Sequence, residues 1–459
     1  MERLKELLES RLVSPQWRRA IGGFLVFCCL FSCKKTATSP FPADTFFKVY
    51  SVPIANGTGT LSNITFGGNI VTDDSGNTYI FYFNNLVANG GVISLLKTDK
   101  YGKMAWYKNY IPFVPYLEFS YYGICLIRIG ETLYLSGKDS TQNWTMLKFN
   151  CPDGKLTGQI SLGGILPPGA RSGSLYISTI WQTKEGNILV NGYFTAAAGY
   201  TKPLLVMMNI SGDIIWSKSD FPFHFPNSTQ VNYDAENGYC MDELPDGSFL
   251  FGTVASCWID ITTVSEVETY TLNFYHISSS GSLLSTDSLA AGGHIGYFNS
   301  PTTIFLDSNV GEITEFFVFP SPQGGYIIVG EETYNLVLSN RIKVIRTDAS
   351  YHVLDSSYIA PANSSLLISG IIQKTDGAIL LSVYDEQLPV TNDLCNLYEI
   401  APDISVKKIQ EVGLLSQSVY MSGMTQTNDG HIVMGGLIQT NGLDTNNIFI
   451  LKTDENEHY

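Results

Sequence analysis

Seven four-stranded antiparallel units closed into a β-propeller, an all-β fold, is the architecture that three observations in this sequence predict. Hairpin turns built around glycine recur along residues 45–459, and a second turn follows each at a near-constant distance. The last unit stops one strand short, and residues 46–52 supply a strand of the missing kind. Gly takes up the positive φ that tight hairpins require, so a turn of this kind between apolar runs reads as two paired strands.

The first turns of the units occur, in order, at Asp74-Ser75-Gly76-Asn77, Ile129-Gly130-Glu131, Gln182-Thr183-Lys184-Glu185-Gly186-Asn187-Ile188, Pro245-Asp246-Gly247-Ser248, Pro322-Gln323-Gly324-Gly325, Lys374-Thr375-Asp376-Gly377 and Gln426-Thr427-Asn428-Asp429-Gly430-His431-Ile432. The second is the most divergent. The second turns sit at Thr98-Asp99-Lys100-Tyr101-Gly102, Pro152-Asp153-Gly154, Ile210-Ser211-Gly212, Ser280-Gly281, Thr347-Asp348 and Pro402-Asp403. Gly76 to Gly102, Gly186 to Gly212 and Gly377 to Asp403 are each 26 residues apart. Each unit therefore holds two hairpins and spans roughly 59 residues, and radial repetition of four-stranded units is the propeller design. The seventh unit has strands at 421–425, 431–437 and 448–453, and residues 46–52 resemble the fourth strand at 105–110. An N-terminal strand completing the last unit leaves no open sheet edge at the seam. Six or eight blades, or two stacked β-sandwiches, are the alternatives.

Composition agrees. The chain has 459 residues, is 44% hydrophobic and 15% charged, and carries 25 Phe and 26 Tyr, which excludes a disordered chain. Its formal charge of −15 argues against a nucleic-acid partner, because such binding rests on neutralising phosphates with a basic surface. Five cysteines follow Cys33, at 125, 151, 240, 257 and 395, an odd number without regular spacing that reads as free thiols rather than a disulfide framework.

The N-terminus reads as a processing signal. A basic stretch ending in Arg18-Arg19 precedes an apolar run, 21–31, too short to span a bilayer as a helix. Leu30-Phe31-Ser32-Cys33 resembles the lipobox of bacterial lipoproteins. The resemblance implies cleavage before Cys33, acylation of that cysteine, and attachment to a membrane of the cell envelope. Residues 1–32 are then the signal peptide, 33–44 a Pro-containing tether and 45–459 a single propeller domain. Loss of five basic and three acidic residues leaves the mature chain at 22 minus 39, or −17.

The repeats resemble those of propeller-like lipoproteins and exported proteins of Bacteroidetes-type bacteria. Residues 321–326 match a Thr-x-Asp-Gly-Gly-Tyr signature, residues 95–106 match Leu-x-Lys-Thr-Asp-x-x-Gly-x-x-x-Trp, and Leu451-Lys452-Thr453-Asp454 is a partial third match. That resemblance concerns fold, and most such proteins have no assigned activity.

Both turns of each unit must lie on one face of a propeller, here the short-turn face, with the remaining connections on the opposite, long-loop face. Residues 221–237, 256–269, 290–311 and 385–393 read as long loops there, where binding groups usually reside. Phe223, His224 and Phe225 in one loop, and His294, Tyr297 and Phe298 in another, flank the fourth unit and are the candidate binding residues. Their aromatic faces beside polar groups suit a sugar or a peptide strand; packing as a small satellite core is the alternative. His224 and His294 have no third ligand at metal-binding spacing, so no metal or other cofactor is expected. Turn aspartates Asp99, Asp348 and Asp454 are expected to bond backbone amides. Hydrolase and nucleotide-binding motifs are absent, and no catalytic residue is assigned.

The expected role is a lipid-anchored, non-enzymatic binding or scaffolding protein for a glycan, a peptide or an envelope protein. The alternatives are a lyase or glycosidase at the channel mouth, with Asp234, Glu236 and Glu312 as carboxylates by location, and a factor in outer-membrane protein assembly.

Overall fold

The computed structural model describes residues 45–50, 70–84, 91–113, 126–138, 143–171, 173–197, 199, 201–222, 232–234, 240–262, 265–297, 304–305, 312–333, 340–359, 364–387, 394–412, 417–440 and 446–454. Residues 45–459 form one compact unit.

The chain is a seven-bladed β-propeller. Blade 1 comprises Ile70–Thr72, Thr78–Asn84, Gly91–Thr98 and Met104–Phe113. Blade 2, around the divergent Gly130, is a complete blade of Leu126–Ile129, Thr132–Lys138, Trp144–Asn150 and Leu156–Ser161. Blade 3 has Tyr176–Gln182, Ile188–Thr195, Thr201–Met208 and Ile214–Lys218. Blade 4 has Cys240–Glu243, Phe249–Thr262, Ser265–Ile277 and Leu283–Tyr297. Blade 5 has Glu312–Pro320, Tyr326–Thr333, Asn340–Thr347 and Val353–Ile359, and blade 6 has Ser364–Gln373, Ile379–Gln387, Leu394–Ile400 and Val406–Val412. Blade 7 takes Gln417–Gln426, Ile432–Thr440 and Asn446–Lys452 from the C-terminal end and Phe46–Tyr50 from the other. The closing strand runs antiparallel to its neighbour, from Phe46↔Lys452 to Tyr50↔Ile448.

The turn chemistry explains the repeat. Asp73 Oδ1 accepts from the amides of Ser75 and Asn77, Asp99 Oδ1 from Tyr101 and Lys103, and Asp348 Oδ1 from Ser350 and His352. These carboxylates are part of the turns, as expected of Asp at a turn start. The recurrent Gln also acts locally, since the side-chain amides of Gln373 and Gln426 donate to the carbonyls of Gly377 and Gly430, four residues on.

Both faces of a blade are covered by its neighbours, so the core is divided into seven apolar clusters, one at each joint. Leu95 and Phe81 meet Leu133 and Phe149 between blades 1 and 2, and Ile450 and Val433 meet Ile80 and Leu96 across the seam between blades 7 and 1. Cys151 and Cys395 are free thiols buried in these clusters.

At six of the seven joints the second turn of one blade fits against the blade before it; blade 7, whose last two strands come from opposite ends of the chain, has no such turn. Trp216 of blade 3 donates its indole N–H to Ser279 O at 2.9 Å, with its ring over Gly281 of blade 4. Gly281 has φ +83°, and a Cβ there would lie 2.7 Å from that ring. Trp106 of blade 1 likewise donates to Cys151 O of blade 2 at 3.2 Å. Blades 5 and 6 reverse the arrangement, because Tyr351 (φ 58°) and Ile404 (φ 60°) hold the glycine position. Tyr351 itself fills the joint, stacked between Phe274 at 4.1 Å and Tyr326 at 4.7 Å.

Blade 4 departs from the pattern. Its outer three strands have 14, 13 and 15 residues, where the other blades' strands have at most 10. Residues 256–262 and 265–269 therefore continue the paired strands and residues 290–297 are part of a strand, not the loops expected from sequence, because the ladder Ser256↔Tyr270 to Asp260↔Glu266 extends beyond the blade. Asn232–Asp234 adds to one side of this extension and Ile304–Phe305 to the other, and a parallel bridge between Asp234 and Thr201 joins it to blade 3.

Gly281→Ala should lower the unfolding free energy by about 2 kcal/mol, read from denaturant midpoints, because it adds a methyl against Trp216 and strains the backbone. The turn carboxylates set a pH dependence. The His352 amide, with the Ser350 amide, holds the Asp348 carboxyl below the usual range, and the Ser405 hydroxyl and amide do the same for Asp403. Groups with depressed folded pKa values contribute stability above about pH 4, and that contribution is lost as the pH falls through the folded values. The thermal midpoint should therefore decline on acidification below about pH 4.

Candidate functional site

The extension of blade 4 stands on the long-loop face. Seven residues, 256–262, at ~3.3 Å each carry it about 23 Å along the strand direction. Its register sets Asn232, Trp258, Glu268, His294 and Phe305 opposite one another in one cross-strand row. The adjacent row contains Ile259, Val267, Ile295 and Ile304. Because successive strand positions alternate faces, the two rows belong to opposite faces of the sheet.

His294 and Tyr297 thus lie in the strand Leu283–Tyr297, opposite Glu268 and Ser265, rather than in a loop. Phe223, His224, Phe225, Phe298, Cys33 and Glu236 lie outside the described residues. Asp234 is the bridging position to blade 3, and Glu312 begins the inner strand of blade 5. Phe221, which opens the aromatic segment before blade 4, is buried against Phe251 and Tyr275 at 5.1 and 4.8 Å.

Below the extension, the joint between blades 3 and 4 contains a polar group of residues that sequence reasoning missed. Its lower half is apolar: Leu189, Leu205 and Met207 of blade 3 pack with Phe249, Phe251, Tyr275 and Ile277 of blade 4. Two residues further along the same strands, and so on the same facing surfaces, come Asn191, Thr253 and Asn273. Thr179 pairs with Asn191, Asn273 with Thr253, and Thr286 with Tyr275. The hydroxyls of Thr179 and Thr286 and Oδ1 of Asn273 are buried and make no hydrogen bond. Tyr275 donates its hydroxyl to Pro222 O at 3.2 Å; burial pushes its pKa up, and the nearby Thr253 hydroxyl opposes that rise. Towards the long-loop side, Tyr176 and Tyr193 of blade 3 stack at 4.8 Å and are half-buried. A bulge at Ile177/Thr179 brings Tyr176 O to where a Cβ on Gly192 would stand, at 2.0 Å, so only glycine fits opposite it.

Two further ionisable groups stand out. In blade 5 the fully buried Glu332 pairs with Lys343 at 3.1 Å and with Arg341, whose guanidinium lies 3.9 Å from the Tyr358 ring centre. Such a buried, multiply bonded carboxylate reads as part of the fold. Asp242, on the inner strand of blade 4, has its carboxyl pushed up by burial, opposed by the Glu243 amide and by the Lys184 charge. Among the described residues no three His, Cys, Asp or Glu side chains gather as metal ligands.

No family model matches the chain. No curated protein matches it either. It is similar in structure to other β-propellers. The propeller domain of the Trilobed protease from Pyrococcus furiosus is 10% identical, with a TM-score of 0.40 over 84% of this chain and 96% of that one. A protein of unknown function from Dyadobacter fermentans is 11% identical, with a TM-score of 0.43 over 90% and 100%. A PL25 ulvan lyase is 10% identical, with a TM-score of 0.46 over 86% and 95%. Enzymes and proteins without a stated activity both occur among these propellers, and the likeness carries no argument about chemistry.

Asp242→Asn should raise the thermal midpoint at pH 7 and leave it unchanged near pH 3. A carboxyl with a raised folded pKa contributes stability below its unfolded value and loses it as the pH rises through the folded one, so at pH 7 the ionised Asp242 costs stability that Asn does not.

Proposed function

We propose that this chain is an exported lipoprotein, acylated at Cys33, whose propeller is a non-enzymatic binding or scaffolding module. The observation that carries the binding role is the asymmetry of the ring. Among the described residues, the strands of six blades have at most 10 residues, while those of blade 4 continue into a sheet on the long-loop face. An extension of that kind adds contact surface that ring closure does not need. The candidate residues Phe223, His224, Phe225, His294, Tyr297 and Phe298 belong to the segments that enter and leave this blade.

The lipid anchor is supported by Leu30-Phe31-Ser32-Cys33 behind a short apolar run. The partner is a glycan, a peptide or an envelope protein, met outside the cytoplasm by a mature chain of charge −17, from 22 basic and 39 acidic residues.

Cys33→Ser should abolish palmitate labelling and release the chain from the membrane fraction; retained labelling contradicts the anchor. Alanine at Phe223, His224 and Tyr297 should remove binding to a partner found by glycan-array or pull-down screening while the thermal midpoint stays within about 2 °C of the parent. A collapse of that midpoint assigns these residues to the core instead.

A further inference from the structure

We propose that the short-turn face at the joint between blades 3 and 4 docks a basic, aliphatic segment of a partner protein, one lysine of which enters a groove between Glu185 and Glu243. This surface lies opposite the blade 4 extension and stands independently of the long-loop reading.

The first turns of blades 3 and 4 and the second turn of blade 4 enclose a cavity of about 60 Å³. Its buried lining is apolar, with Met207 and Phe249 beneath and Ile215 of the outer strand of blade 3 as one wall. Its more exposed lining is polar: Glu185 and Asn187 of one first turn, Glu243 just before the other, and Ser279 of the second turn.

These carboxylates lack the cation that other blades supply. Arg128 stands 3.7 Å from Asp74 and 3.8 Å from Glu131, Lys374 is 3.9 Å from Asp376, and Lys452 is 3.8 Å from Asp429. Lys184 occupies the corresponding turn of blade 3, but its ammonium is held by the carbonyls of Glu243 and Leu244, each at 3.1 Å. Its backbone amide, not its ammonium, donates to Glu243 Oε2 at 2.7 Å. Among the described residues no cationic side chain pairs with Glu185 or Glu243. Other cations nearby are engaged elsewhere: Lys148 donates to Ile210 O at 2.8 Å, Lys218 meets Asp220 at 2.9 Å, and the His276 ring is bonded to Ser248. Asp213 and Asp246, both exposed, add negative charge to the same face.

Exposed aliphatic side chains adjoin the groove. In each second hairpin a bulge leaves one extra residue on the outer strand, and these are Ala105, Thr157, Ile215, Leu284, Leu354 and Ile409. The bulge itself needs no aliphatic residue, as Ala105 and Thr157 show. At this joint the positions are Ile215 and Leu284, 53% and 55% exposed, with Ile214 beside them at 45%.

The lining selects lysine. Its methylene stem matches Met207, Phe249 and Ile215, and its compact ammonium donates three hydrogen bonds, whereas the planar fork of arginine is too wide for a cavity of this volume. A metal ion would have two carboxylates and an apolar wall, short of the oxygen ligands that hard cations take. A second copy of a chain of charge −15 is repelled from an acidic surface, so the partner is a different, basic protein.

The test is a positional-scanning library of acetylated hexapeptide amides, bound to the full chain in detergent. Lysine should be preferred at one position, with Ile, Leu or Val beside it. Replacing that lysine by norleucine in the best peptide should weaken binding about tenfold or more, as should Glu185→Lys and Glu243→Gln in the protein. Ile215→Ser should weaken it about fivefold, and Leu354→Ser, at the same bulge of blade 5, should leave it unchanged. Should Glu243→Gln fail to fold, Glu185→Lys at its exposed position decides. A library without preference for lysine, or a norleucine peptide that binds as well as its parent, overturns the site. Binding of the lysine peptide that Glu185→Lys leaves unchanged is general attraction to an acidic chain and also overturns it.

Discussion

The joint between neighbouring blades is the constraint on which the rest of this molecule depends. A blade buries apolar side chains on both faces, so none can be stable alone, and every blade needs a neighbour on each side. Seven apolar clusters meet that need, and at six of the joints a turn must fit against side chains of the preceding blade. The fit is achieved in two complementary ways. A ring lies over a glycine at Trp216–Gly281 and Phe46–Gly102, and a turn side chain reaches back into the joint at Tyr351 and Ile404. The Phe46–Gly102 contact belongs to the seam, where the first described strand completes the last blade and fits over blade 1. Tyr50 adds a hydrogen bond from its hydroxyl to Gly102 O at 2.6 Å across the same seam.

A closed ring leaves function to whatever departs from its symmetry. Blade 4 does so twice over. Its outer strands continue past the blade as a sheet with one mixed aromatic and charged cross-strand row and one aliphatic row, and the joint on its blade 3 side replaces apolar packing with unsatisfied oxygens in its upper half. Both departures lie toward the long-loop side, and Asn232–Asp234 ties the two blades together above the joint. Rigid joints elsewhere make that arrangement precise: the strands that carry Thr179 and Asn273 are held by the same clusters that hold the ring.

Turns were the legible part of the sequence, because Gly76, Gly186 and Gly430 answer a backbone requirement that few other residues meet. From their spacing came the blade count, the divergent blade around Gly130 and the closing strand at 46–50. The blade 4 extension was illegible for the converse reason. Only Thr and Val stand between Phe249–Thr262 and Ser265–Ile277, a pair of residues with no turn signal, and Ala-Ala-Gly-Gly before His294 reads as loop although Ala290 and Gly293 are paired in the ladder. The polar joint was hidden by the architecture itself. Where both faces of a strand are buried, alternation no longer separates core from surface, so Asn191 and Asn273 look like any other strand residues until the neighbouring blade is in place.

Hydrogen–deuterium exchange along the full chain tests the closed ring most directly. Sealing of the last blade by residues 46–50 predicts that the amides of Asn446–Lys452 that face the closing strand exchange as slowly as those in the middle strands of blades 5 and 6, and that Phe46–Tyr50 is protected with them. Rapid exchange of both strands, at the rate of an unpaired sheet edge while blades 5 and 6 stay protected, would contradict the closed ring.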